Sequence, residues 1–160
     1  MIIKELRDED FTNFKLPSMV IGFPSCTFKC EKECPNCKGM CQNSALVKAP
    51  DIEINPKAIV DRYLSNPITK ALVCGGLEPF DSWEELQAFI RDFRYYTPDD
   101  IVIYTGYYED EIQPYINKLK ADFKNIVVKF GRYIPDQQPH YDEVLGVNLA
   151  SDNQKGVRIC

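Results

Sequence analysis

The sequence has no excess of positive charge, no long hydrophobic run and almost no histidine. Its 19 lysine and arginine residues are outnumbered by 24 aspartate and glutamate residues, so the formal net charge is -5 and no broad positive field attracts nucleic acid or an anionic membrane. No apolar run approaches the roughly 18 residues of a membrane-spanning helix. The first residues turn acidic where a secretory signal would be apolar. We therefore expect a cytoplasmic protein that binds neither nucleic acid nor membrane.

The length of 160 residues is enough for one hydrophobic core and too short for two ordinary domains. We expect a single domain over residues 1–160, with a polar N-terminal arm before the first strand. The only histidine, His140, follows a proline in a polar segment. We expect it on the surface and assign it no chemistry.

Short apolar runs alternate with amphipathic segments along the chain. The runs are predicted strands, at 18–23, 71–74, 101–104, 126–128 and 144–149. Strands that alternate with helices predict an α/β fold with a mostly parallel sheet. Ligands bind such folds at the carboxyl ends of the strands.

The amphipathic segments carry helix start signals. Asn55 is the predicted N-cap of a helix that begins at Pro56, and Ser82 with Glu85 predicts a capping box at the start of the next helix. A third helix is predicted from the apolar residues between Ile112 and Phe123, with Pro114 either in its first turn or at a kink. These helices would cover the sheet.

Five of the seven cysteines lie in one short segment, Cys26 to Cys41. Clustered thiols in a reducing compartment more often bind metal than form disulfides. A structural zinc site usually needs two ligand pairs held apart by a longer loop, which the segment lacks. Closely spaced thiolates favour an iron-sulfur cluster. The isolated Cys74 and Cys160 are expected to be a buried apolar residue and a chain-end thiol.

The cysteine segment resembles the cluster loop of radical S-adenosylmethionine (SAM) enzymes, whose pattern is C-x3-C-x2-C. The resemblance implies a 4Fe-4S cluster with three cysteine ligands and one open iron, and two sets compete for it. Cys30, Cys34 and Cys37 match the spacing as it stands, whereas Cys26 and Cys30 match its first half with Cys41 displaced by an insertion. We prefer Cys26, Cys30 and Cys41, because the family's first ligand usually follows the first strand.

Further segments carry the same resemblance. Gly75, Gly76 and Glu78 stand in a segment similar to the family's G-G-E-P motif, which binds the amino group of SAM. Leu77 is an extra residue in that motif, so the resemblance assigns the contact either to Glu78 or to a backbone carbonyl. A glycine pair lets a ligand approach the backbone, and a carboxylate complements an ammonium group. Met40 stands where a bulky residue of the family lies near the adenine.

Two segments resemble the activating enzymes of anaerobic ribonucleotide reductase. These are the Y-T-G-Y sequence that includes Tyr104 and Thr105, near the SAM site of those enzymes, and the C-Q-N sequence that begins at Cys41. The segments around Arg132 and at 150–155 are similar to their closing motifs, and no catalytic role follows from that similarity. Arg132 and Lys129 are expected to be solvated surface charges, with contact to a carboxylate as the alternative.

The resemblance implies a partial (β/α) barrel that binds a 4Fe-4S cluster and SAM. Such an enzyme cleaves SAM reductively to a 5'-deoxyadenosyl radical, with an electron from a flavodoxin or ferredoxin-type reductant. The short chain has no segment to enclose a small substrate, which favours a macromolecular one. By resemblance, that is a glycyl-radical enzyme such as anaerobic ribonucleotide reductase. The alternatives are an iron-sulfur electron-transfer or cluster-carrier protein and a zinc-stabilised interaction module.

Overall fold

A computed structural model describes residues 1–33, 39 and 41–160 of the chain. The strands of the described part are β1 (Ile2–Ile3), β2 (Glu5–Asp10), β3 (Ser18–Phe23), β4 (Ile52–Glu53), β5 (Ala71–Gly76), β6 (Asp100–Tyr104), β7 (Ile126–Phe130), β8 (His140–Asp142), β9 (Val147–Leu149) and β10 (Lys155–Arg158). The helices are α1 (Lys29–Glu33), α2 (Ser44–Lys48), α3 (Pro56–Ser65), α4 (Trp83–Tyr96) and α5 (Gln113–Asp122).

The central sheet has six strands in the order β2-β3-β5-β6-β7-β10. The four middle strands are parallel, and β2 and β10 pair antiparallel at the two edges. This confirms the predicted α/β class with a mostly parallel sheet. The polar arm expected before Ser18 is instead β1 and β2, because an edge strand tolerates charged residues that a central strand does not.

Side chains of the parallel strands alternate between two faces of the sheet. Ile21, Cys74 and Ile103 lie in the larger core, together with the apolar faces of α3, α4 and α5. Cys74 is fully buried there, as predicted for a small apolar residue. Val73 and Val127 face the other way, into a smaller core.

Two segments outside the central sheet cover part of its second face and complete the smaller core. Phe14, in the loop after β2, packs there with Leu145 and Leu149 from the β8–β9 hairpin. The loop and the hairpin are joined by a hydrogen bond from Lys15 N to Leu145 O (2.7 Å). Only β9 of that hairpin overlaps the strand predicted at 144–149. The covering segments leave the carboxyl ends of the strands free on this face.

Two of the helix starts follow the sequence signals and one does not. Asn55 caps α3 by accepting from Lys57 N (3.0 Å), and Pro114 lies in the first turn of α5. The capping box predicted for Ser82 is wrong, because its side chain makes no cap hydrogen bond. A 3-10 turn, Pro79–Ser82, precedes α4 instead, and Glu78 caps it. No helix of the described residues has the length and hydrophobicity needed to cross a membrane.

The strands β3 and β5 come into close contact at two glycines, Gly22 of β3 and Gly76 of β5. Gly76 has a φ of +81°, a conformation that L side chains rarely adopt, and a Cβ there would lie 2.5 Å from the Cα of Gly22. A Cβ at the neighbouring Gly75 would meet only Tyr104 Cβ, at 3.5 Å. The close contact with β3 therefore requires a glycine at Gly76 and does not require one at Gly75.

We predict that Gly76→Ala destabilises the protein by at least about 2 kcal/mol, because it adds backbone strain to a backbone collision. Gly75→Ala is the matched control and should change the free energy of unfolding by no more than about 0.5 kcal/mol. Urea unfolding of the two variants and the wild type measures the difference. Equal stabilities of the two variants would contradict the close packing of β3 on β5.

Candidate functional site

The carboxyl ends of β3, β5, β6 and β7 open into a cavity of about 500 Å³. This volume lies within the range of small-molecule and cofactor sites. The cavity wall brings together most of the residues predicted from the sequence, namely Cys26, Cys30, Cys41, Gly75, Gly76, Glu78, Tyr104 and Thr105. Met40 lies outside the described residues.

Cys26, Cys30 and Cys41 are each half-buried at this end of the sheet. Cys26 comes just after β3 and accepts a hydrogen bond from Phe28 N (3.2 Å), while Cys30 lies in α1. Burial raises the pKa of Cys26 to about 11 and also raises the pKa of Cys30. Without a metal, the thiols of Cys26 and Cys30 therefore hold their protons. Cys34 and Cys37, two members of the other predicted set, lie outside the described residues.

The cysteine segment is attached to the strand ends by hydrogen bonds. Thr27 N donates to Asp81 Oδ2 (2.6 Å), and Tyr107 Oη donates to the other oxygen of Asp81 (2.7 Å). At the far end of the segment, Asn43 Nδ2 donates to the carbonyl of Gly76 (2.5 Å). Asp81 was not predicted as a site residue, and its place beside the glycine turn was the only signal in the sequence.

Glu78 joins the turn after β5 to the turn after β6. Its Oε1 accepts from Thr105 Oγ1 (2.8 Å) and Phe80 N (3.2 Å), and its Oε2 accepts from Gly106 N (2.8 Å). The residue is only 5% exposed, and burial raises the pKa of Glu78 to about 7 despite these bonds. A buried carboxylate at this position favours a cationic partner.

Lys129 and Arg132 are buried, at 7% and 5% exposure, so the expectation of solvated surface charge is wrong. Lys129 lies two residues after Val127 in β7 and therefore faces the cavity side of the sheet. Its Nζ donates to Gly131 O (2.8 Å), and burial lowers the pKa of Lys129 to about 8. The two-residue alternation along β7 was the signal that could have placed this lysine.

Tyr104 ends β6 and Thr105 follows it, and both line the cavity. The hydroxyl of Tyr104 donates to Asn13 O (2.6 Å), which fixes its ring against the loop after β2. Thr105 is buried and uses its hydroxyl to bind Glu78. Both side chains are thus held in place by contacts to neighbouring elements.

The comparison with protein families decides the class of metal site. The family model described as "4Fe-4S single cluster domain" matches residues 19–154, which is most of the chain and includes all five clustered cysteines. The chain belongs to the 4Fe-4S single cluster domain family. No curated protein and no solved structure matches the chain. Membership of this family confirms the prediction of an iron-sulfur protein.

The three described thiols supply the type of ligand that a 4Fe-4S cluster needs. Within the described ranges, no three histidine, cysteine or acidic side chains lie close enough to hold a single ion. The cysteine ligands of a 4Fe-4S cluster bind different irons, so they stand further apart than the ligands of one zinc ion. Binding a thiol to iron also removes the proton that burial otherwise retains. The donor set therefore suits a cluster at one end of the cavity.

We predict that one glutamate of the apoprotein titrates near pH 7, because burial raises the pKa of Glu78 to about 7. Since the folded state keeps this proton longer than the unfolded chain does, the contribution of Glu78 to stability falls as pH rises from about 4.5 to about 7. Carbon-13 NMR of labelled glutamate carboxyls measures the titration directly.

Two comparisons control this titration. The signal near pH 7 should be missing in Glu78→Gln. A second glutamate should titrate far below the ordinary range, because hydrogen bonds from Arg132 lower the pKa of Glu111 to about 2. If every glutamate titrated between about pH 4 and 5, the buried position of Glu78 would be refuted.

Proposed function

We propose that the chain is a radical SAM enzyme that holds its 4Fe-4S cluster with Cys26, Cys30 and Cys41. The observation that carries this proposal is a pair of buried opposite charges, Glu78 and Lys129, in the wall of the cavity that contains the thiols. No ion pair joins Glu78 to Lys129 in the part of the chain that the structure describes. SAM carries an ammonium and a carboxylate on the same carbon, which complements such a pair of charges. When bound, the cluster and SAM supply the reductive chemistry that releases a 5'-deoxyadenosyl radical.

Glu78 is suited to bind the ammonium group of SAM. Its Oε2 accepts one hydrogen bond, from Gly106 N, and so retains a lone pair for a further donor. Beside it, β5 pairs with β6 only as far as Cys74, so the backbone of Gly75 has no partner in β6. We assign Gly75, Gly76 and Glu78 to the ammonium end of the substrate.

Lys129 is suited to bind the carboxylate of SAM. Its ammonium has three donors, and one of them is used for the carbonyl of Gly131. A carboxylate would compensate the burial that lowers the pKa of Lys129 to about 8. We assign the adenosine part of SAM to the side of the cavity near Tyr104 and Thr105, with Met40 beside the adenine.

The proposed substrate is a macromolecule, a glycyl-radical enzyme such as anaerobic ribonucleotide reductase. The six-stranded sheet serves in this proposal as a partial barrel. Phe14, Leu145 and Leu149 cover part of one face of the sheet, and the cavity lies at the strand ends. The target loop of the partner would reach the cavity there and exclude water from it. A flavodoxin or ferredoxin-type protein would donate the electron.

We predict that the anaerobically reconstituted chain releases 5'-deoxyadenosine from SAM when dithionite is added. Cys26→Ala and Cys41→Ala should lose the cluster and this activity, and Cys37→Ala should keep both. Iron content, electron paramagnetic resonance with and without SAM, and product chromatography measure these outcomes.

Three results would contradict parts of this proposal. Loss of the SAM-perturbed signal in Cys37→Ala alone would favour the ligand set Cys30, Cys34 and Cys37. A chain that holds a reducible cluster and does not bind SAM would be an electron-transfer or cluster-carrier protein. A colourless, zinc-loaded chain after anaerobic purification would be a zinc-stabilised interaction module.

We predict that Lys129→Met weakens SAM binding by roughly 10- to 100-fold, because it removes a charge-assisted hydrogen bond to the carboxylate. The cluster content should stay the same, since Lys129 is not a proposed ligand. Titration of the SAM-induced change in the paramagnetic resonance spectrum gives the affinity. Lys118→Met, on the exposed side of α5, is the matched control and should bind SAM like the wild type. Unchanged affinity in Lys129→Met would remove Lys129 from the site.

A further inference from the structure

The short helix α1, which carries Cys30, has no hydrophobic anchor. None of its five residues is buried. Helices this short have little stability of their own, and most helices in proteins are stabilised by packing an apolar face. Polar contacts must therefore set the position of this helix and of Cys30.

Charged contacts link α1 to the end of β7. Lys29 and Glu33, which flank Cys30 on the helix, pair with two residues of the protein body, Glu111 and Arg132. Arg132 binds both oxygens of Glu111 (2.5 and 2.9 Å) and also reaches Glu33 Oε2 (2.9 Å). Lys29 Nζ donates to Glu111 and lies 3.5 Å from Glu33. We call these four residues the charge network.

Arg132 is the least exposed member of the charge network, with a side chain that is 6% exposed. Its guanidinium carbon lies 4.7 Å from the centre of the Tyr108 ring. Its carbonyl accepts from Asn153 Nδ2 (2.8 Å), and a Cβ at the preceding Gly131 would lie 2.8 Å from Asn153 O. The position of Arg132 is thus fixed by contacts to Tyr108 and Asn153, which lie outside α1.

We propose that Arg132 is a positioning residue that holds Cys30 at the cluster through Glu111, Lys29 and Glu33. A guanidinium group suits this task because its planar donors bind two carboxylates at once. Lys29 and Arg132 balance Glu33 and Glu111, so the network carries no net charge beside thiolate ligands. The inference rests on the proposed role of Cys30 as a ligand, which both candidate cysteine sets share.

Removal of Arg132 leaves Lys29 as the remaining cation beside Glu33 and Glu111, so the charge network becomes net negative. We expect the helix to lose its fixed position and the excess negative charge to disfavour the reduced, more negative cluster. Cluster loss to a chelator should become roughly tenfold faster in Arg132→Met, as for other residues that orient metal ligands. Its reduction potential should fall, and hydrogen exchange in residues 27–33 should accelerate.

The experiment uses the full reconstituted chain without SAM, so a failure of SAM cleavage and a failure of this proposal are separate outcomes. Glu111→Gln should also speed cluster loss, and the double variant should resemble the single ones because both residues act in one network. Lys29→Met changes a partly exposed side chain and tests the network without disturbing the buried arginine. Lys57→Met, which removes an exposed pair with Asp61 on α3, is the control.

The proposal predicts faster cluster loss in the Arg132, Glu111 and Lys29 variants, with Lys57→Met unchanged. Arg132→Lys should lie between Arg132→Met and the wild type, because it keeps one charge and loses the planar fork. Equal rates of cluster loss in all variants would overturn the proposal. Additive effects of Arg132→Met and Glu111→Gln would also overturn it, since the two residues would then act independently.

Discussion

The parallel pairing of β3 with β5 is the constraint on which the site depends. The two strands pair up to their last residues, with Phe23 opposite Gly76, so the cysteine segment and the glycine turn leave the sheet side by side. Leu77 N then donates to Phe23 O and Glu78 N to Ser25 O (3.2 and 2.7 Å). The backbone of the glycine turn is therefore hydrogen-bonded directly to the backbone at the start of the cysteine segment. A shift of one residue in this pairing would separate Cys26 from Glu78.

Strands and helices at the centre of the molecule could be predicted from the sequence because their patterns are local. A strand buried on both faces is a continuous apolar run, as in Ser18–Phe23, and the Asn55 cap lies next to the helix that it starts. The edge strands β2 and β10 were missed because they carry charges and pack against the larger core with one residue each, Leu6 and Val157. Their position is decided by pairing with distant strands.

The glycine turn and the cysteines of the site could be predicted from the sequence, but the burial of the charged residues could not. The glycine turn and the cysteines stand out by composition. The alternation of side chains along β7 indicates the face on which Lys129 lies, whereas the burial of Lys129 and Arg132 depends on partners such as Gly131 and Glu111 that no local pattern identifies. The same is true of Glu78, whose three hydrogen-bond donors come from the turns after two different strands.

Like α1, the helix α2 has no buried residues and contributes no side chain to either core. Every described side chain of the two cores comes from outside these helices. The scaffold can therefore fold before any iron arrives, in contrast to small zinc domains whose folding energy is supplied by the metal. We expect assembly to occur in two stages, first the sheet with its covering helices and then the loading of the cysteine segment. Oxidative destruction of the cluster would leave a folded recipient for a new one.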